Sequence, residues 1–203
     1  MLDRIEPQRK LGTERFRNGT TLLDFNLLDF WQWSSSDLVS NALRGRVAEF
    51  LVAQALGVSD GIRNEWDSYD LRSLSGLRIE VKSAAYLQTW AQRLESAISF
   101  DIRPTLAWDA NTNEFAPEEE RRRQADLYVF ALLAHRQKVT LEPMDVSQWE
   151  FYLLASSLLD VHCKNKKQIS LAALLRLEPH HCLFDELQAR VVKLGASIDL
   201  PKK

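Results

Sequence analysis

A chain of 203 residues suffices for one domain with a sizeable core and is short for two. A net charge of −2 excludes a protein that coats nucleic acid through bulk positive charge, but not one that binds through a local basic strip beside an acidic centre. Two cysteines make no disulfide framework, MLDRIEPQRKLG holds no apolar run, and no stretch nears the roughly 20 apolar residues of a membrane span, so a cytoplasmic, reducing compartment without a membrane partner is expected.

Residues 1–34 read as an N-terminal arm or docking segment and residues 35–203 as a single domain. The first 19 residues are polar and weakly patterned. In residues 20–33, Leu23, Leu27 and Phe30 recur at helical spacing, which predicts a short helix or docking segment. SSSDLVSNALRGRVAEFLVAQALG predicts the first long helix, with Ser35 or Ser36 as N-cap and Gly57 as stop. Leu43, Val47, Phe50, Leu51 and Gln54 share one face. Leu38, Ala42, Gly45, Glu49, Ala53 and Leu56 share the other, so the helix is expected to be buried on both sides. Glu49 then sits among small residues, where a carboxylate needs a partner.

The period next changes to two. WDSYDL puts Trp66, Ser68 and Asp70 on one face of a strand, RSLSG is a turn, and LRIEVKS alternates Leu77, Ile79 and Val81 against Arg78, Glu80 and Lys82. Together these predict a β-hairpin with a polar face. AAYLQTWAQRLESAI returns to helical spacing through Leu87, Trp90, Leu94 and Ile98. Residues 101–124 form a long irregular excursion. ADLYVFALLAH predicts a strand covered on both faces and WEFYLLAS another strand. ISLAALLRL, capped by Ser170, and FDELQARVVKL predict two closing helices. The order implies a mixed α/β domain.

The chemistry gathers on the hairpin. A divalent ion such as Mg²⁺ takes one or two carboxylates plus phosphate and water. Asp70 and Glu80 on neighbouring strands suit one ion, and Lys82, two residues beyond Glu80, projects from the same face. Asp70 followed by Glu80-Val81-Lys82 resembles the D…(D/E)xK signature of the PD-(D/E)xK nucleases, with Tyr69 where the name of the motif has Pro. The resemblance covers about half the chain. It implies a restriction-endonuclease-like fold, with a mixed central sheet flanked by helices, and Mg²⁺- or Mn²⁺-dependent hydrolysis, most commonly of DNA. It further implies that Asp70, Glu80 and the Val81 carbonyl hold the metal, that Lys82 positions and activates water, and that Glu49 is an accessory carboxylate. Gln88 and Arg78 are possible accessories, and members that cut both strands are usually homodimers.

Further candidates for phosphate contact are Arg44, Arg46, Arg93, Arg103 and residues 121–123, where the preceding EEE offers internal pairing instead; Trp108 is the aromatic placed to stack. Ordinary readings stand beside these: Glu80 and Lys82 as the solvated face of a strand, Glu49 as a partner of Arg44 or Arg46, Gln88 as a surface helix residue. His162-Cys163 and His180-His181-Cys182 gather both cysteines, but adjacent ligands point apart, so structural zinc is disfavoured. The alternatives to a nuclease are a nuclease-like module that binds without cutting and a structural protein in which the motif is coincidence.

Overall fold

The computed structural model describes residues 5–109 and 112–198. Its organising strand follows from the alternation in LRIEVKS: Leu77, Ile79 and Val81 are buried, while Arg78, Glu80 and Lys82 are half-buried. The elements in chain order are β1 (Arg15–Asn18), β2 (Thr21–Asn26), α1 (Leu27–Ser35), α2 (Asn41–Leu56), β3 (Leu71–Arg72), β4 (Arg78–Ala85), β5 (Ser99–Asp101), β6 (Trp108–Asp109) and β7 (Glu114–Phe115). There follow β8 (Leu127–Leu133), β9 (Trp149–Ala155), α3 (Ser156–His162), β10 (Gln168–Ser170), α4 (Leu171–Leu175), β11 (His180–Cys182) and α5 (Leu187–Gly195).

Five strands form the central sheet in the order β11-β9-β8-β4-β3. Strand β4 pairs antiparallel with β3 and parallel with β8, and the pairs β8–β9 and β9–β11 are antiparallel. This is a mixed α/β fold. Every residue of β8 is buried, as its unbroken apolar run predicts. Its odd-numbered residues Leu127, Val129 and Leu133 join Leu51 and Val52 of α2 and Val191 of α5 in one core. Its even-numbered residues Tyr128, Phe130 and Leu132 join Phe100, Leu159, Ile169 and Leu174 in a second core on the other face. Glu80 and Lys82 point to that second face. Among the described residues no helix is long and apolar enough to cross a membrane.

Several local expectations are corrected. Residues 15–18 of the expected arm are a strand, and the helix expected within 20–33 starts only at Leu27. Before it, residues 21–26 pair with β1, and Asn26 caps the helix by accepting from Asp29 N (3.1 Å) while its own N–H donates to the Asp29 carboxylate (2.7 Å). Residues 1–4 of that arm lie outside the described residues. Helix α2 starts at Asn41, because Ser36 closes α1 and Asp37 to Ser40 form a turn (Ser40 N to Asp37 O, 3.2 Å); Gly57 ends it, left-handed at φ 67°. It is buried on one side only, with Phe50 56% exposed.

Residues 66–69 are bends rather than strand, though Asp70 N extends the ladder to Ile79 O at 3.1 Å. The helix expected from AAYLQTWAQRLESAI is absent. Trp90 and Leu94 are 57% and 85% exposed, so no apolar stripe is buried. Gln92 takes the backbone groups a helix would use. Its carboxamide accepts from Gln88 N (2.7 Å) and donates to the carbonyls of Tyr86 (3.2 Å) and Leu94 (3.4 Å). Among its described residues the parallel β4–β8 crossover therefore runs without an α-helix. Of the two closing helices, α4 keeps the Ser170 cap but spans five residues, because Ile169 belongs to β10.

Candidate active site

Strand β3 begins too late to pair with all of β4, and the side chain of Asp70, the residue before it, takes over at the gap. Its Oδ2 accepts from Val81 N at 2.8 Å, filling the place of a strand carbonyl. Alternate residues of a strand direct N–H and C=O to the same edge, so the Val81 carbonyl faces the Asp70 side as well. Burial first, then the charges of Glu80 and Glu49, raise the Asp70 carboxyl from 3.8 to about 7, against the Val81 hydrogen bond and Lys82. Lys82 Nζ donates to Glu80 Oε1 at 2.5 Å. Burial would lower the Lys82 ammonium, but Glu80, Asp70 and Asp101 outweigh it and hold it above its usual range. Lys82 is therefore a cation across neutral pH.

This donor set fits a hard, partly hydrated cation. The Asp70 carboxylate sits at the strand edge beside the Val81 carbonyl and feels the charges of Glu80 and Glu49, so negative charge already crowds there. Among the described residues no three His, Cys, Asp or Glu side chains form a ready-made cage, so such an ion would draw the rest of its shell from water and phosphate.

Glu49 reaches this centre from α2, as its charge on Asp70 records. Its partner is neither Arg44 nor Arg46 but Arg63, which donates from Nε and from Nη2 (3.2 Å). Glu49 and Asp70 line a cavity of about 450 Å³ together with Arg9, Arg46, Arg63 and Arg72. Glu80 and Lys82 line a second one of about 280 Å³ with Asp101, Arg103, Gln124 and Tyr128. The carboxylates are thus divided between two hollows. Trp66 and Trp108, with ring centroids 5.0 Å apart, tie the loop before Asp70 to the excursion after β5.

The accessory candidates lie elsewhere. Gln88 is buried off any helix, donating to Ala85 O (3.3 Å) and Ser96 Oγ (3.2 Å) and accepting from Arg44 Nη1 (3.4 Å). It supports the loop and lines neither hollow. Arg78 binds Asp126 through its backbone N (2.9 Å), Nε (3.0 Å) and Nη2 (2.5 Å). Arg121 pairs with Glu118, while Arg123 is buried against Ile102 O (2.8 Å), Asp160 (2.6 Å) and Cys163 O (2.8 Å). Cys163 and Cys182 lie in opposite cores, which separates the disfavoured zinc ligands.

Three residues near the centre carry no signal in the sequence. Arg63 comes from the loop before Asp70 and Asp101 from the end of the short strand β5, neither within a periodic pattern. Tyr128 reads only as core, yet it pairs across the sheet with Glu80. Burial, then the Glu80 charge, keeps its phenol above the usual range, so it presents a neutral O–H to the smaller hollow.

Compared with curated proteins, the chain matches none. Residues 20–171 match the family described as bacteriophage T4 endonuclease IV. The match runs from the first hairpin to the start of α4 and contains Glu49, Asp70, Glu80 and Lys82. It takes in more than half of the chain, which belongs to the bacteriophage T4 endonuclease IV family.

Proposed function

We propose that the protein is a metal-dependent endonuclease that hydrolyses phosphodiester bonds in DNA, built on the PD-(D/E)xK, restriction-endonuclease-like plan. The observation that carries the reading is Asp70 bound to Val81 N–H of β4 under the charge of Glu80, which itself holds Lys82. Membership of an endonuclease family supports it independently.

In this reading Asp70, Glu80 and the Val81 carbonyl hold Mg²⁺ or Mn²⁺. When bound, the ion lowers the pKa of a water and neutralises charge on the phosphate. Lys82 remains an ammonium, so its part is electrostatic. It donates hydrogen bonds toward the attacking water and the charge that grows on the phosphate oxygens. Water adds to phosphorus, the bond to one sugar oxygen breaks, and that oxygen takes up a proton. Glu49 acts through position, holding Arg63 at the mouth of the larger hollow and adding negative charge beside Asp70.

The test is incubation with supercoiled plasmid, linear duplex, single strands and RNA, with Mg²⁺, with Mn²⁺ and with EDTA. Cleavage of DNA should need the metal. Lys82→Ala should cut roughly a thousandfold more slowly, about 4 kcal/mol of transition-state stabilisation, while Mg²⁺ still raises its melting temperature. DNA binding without cutting under either metal would replace this reading with a non-catalytic binding module.

A further inference from the structure

The larger hollow differs in kind from the smaller one. Its floor is apolar: Phe50 and Ile62 line it and remain 56% and 43% exposed. Its rim carries four arginines, Arg9, Arg46, Arg63 and Arg72, against three carboxylates, Glu49, Asp67 and Asp70. Glu49 already holds Arg63. Arg46 meets Glu65 only loosely, at 3.6 Å between two exposed side chains, a pair that contributes little. Arg9 donates to a backbone carbonyl, that of Asp60, at 2.7 Å. Arg72 lies over the Tyr69 ring at 5.3 Å and donates to its hydroxyl. Among the described residues, three guanidinium groups therefore face this hollow with no tightly held carboxylate.

An apolar floor under unmatched guanidiniums fits a planar base joined to a phosphate. Guanidinium recognises phosphate by paired hydrogen bonds, and about 450 Å³ falls within the ordinary range of ligand sites, roughly 300–1,000 Å³. The hollow also opens directly on Asp70. We propose that it seats the nucleotide adjoining the scissile phosphate. The base lies on Phe50 and Ile62, the flanking phosphate on Arg46 and Arg72, and Arg9 closes the site from the N-terminal segment. The proposal deepens the nuclease reading and rests on it for the word scissile, but its binding claim stands on the hollow alone.

The experiment is a binding scan in EDTA, where no cleavage is needed. A set of DNA oligonucleotides carries one neutral methylphosphonate each, at successive positions, and Kd is measured for wild type and for the exposed double variant Arg46→Gln/Arg72→Gln. For wild type, one position should weaken binding roughly tenfold, the scale of a charge-assisted hydrogen bond. In the double variant the same neutralisation should change Kd by less than about twofold, the mark of a direct pairing. With Mg²⁺ and wild type, the cut should map to the neighbouring phosphate. If the variant's loss is the same whichever phosphate is neutral, or if the variant binds like wild type, the subsite is wrong. If one phosphate couples to the two arginines but nothing is cut, the subsite stands and the chemical reading fails.

Discussion

Asp70 carries two duties on one carboxylate, and the sign of its titration separates them. In the metal-free fold it keeps its proton to about 7, whereas in the unfolded chain it ionises near 3.8. The group favours folding below about pH 4, and that contribution is lost as pH rises through 7. Asp70→Asn keeps an oxygen that can accept from Val81 N–H and cannot ionise. In EDTA it should match wild type near pH 4 and exceed it at pH 8 by about 1–4 kcal/mol. Urea melts at the two pH values read this, and a gap that does not grow with pH would refute it. Under the proposed function the order should reverse with Mg²⁺, since the variant would lack a ligand. The positions of Glu80 and Lys82 were legible because a strand has a period of two. Their neighbours Arg63 and Asp101 were not, because such contacts are set by how loops close and leave no local pattern.

At the scale of elements, period predicted strands better than helices. Strands β4, β8 and β9 follow alternation or unbroken apolar runs, because burial in a sheet tracks each side chain directly. The segment after β4 shows the opposite. Its helical spacing is overruled by Gln88 and Gln92, whose side chains take backbone groups that a helix would pair, and Ser96 Oγ accepts from both carboxamides. Gln92→Leu should therefore cost about 1–3 kcal/mol in a denaturant melt by orphaning Gln88 N, while the Tyr86 carbonyl keeps its bond from Ser96 N (2.8 Å). A cost below about 0.5 kcal/mol would mean that this loop is held by something else. The start of α2 was misplaced for a related reason: the Ser34 to Ser36 run can cap a following helix or close a preceding one, and in the structure Ser36 closes α1 while Ser40 precedes α2.

At the scale of the molecule, the sheet separates two cores and the candidate site lies where the second core leaves β4 uncovered. Phe130, fully buried in that core, stacks against Tyr128 at 5.7 Å and meets Phe100 edge-on at 5.0 Å. Phe130→Ala should cost about 3–5 kcal/mol and loosen the wall beside Lys82, lowering both melting temperature and cleavage. A variant that melts early yet cuts at the wild-type rate when folded would show that the wall has no part in holding the lysine. The class of fold was legible from the order of patterns along the chain. The parallel pairing of β4 with β8 was not, since a crossover with no α-helix among its described residues lacks the usual signature.

That crossover has a consequence for how the molecule comes into being. The β3–β4 hairpin joins neighbours in sequence and forms on the scale of about 1–10 μs. The wall beside Lys82 waits for the long crossover to close, so that Asp101, Gln124 and Tyr128 arrive together. Ile79→Val should slow refolding in stopped-flow traces, while Ile169→Val, at the packed edge of the second core, should mainly hasten unfolding. Equal partition of the two variants between the limbs would contradict this order. If it holds, a nascent copy carries both carboxylates before it carries the wall that seats its lysine, and under the proposed function it remains harmless to nucleic acid until the last step of its own assembly.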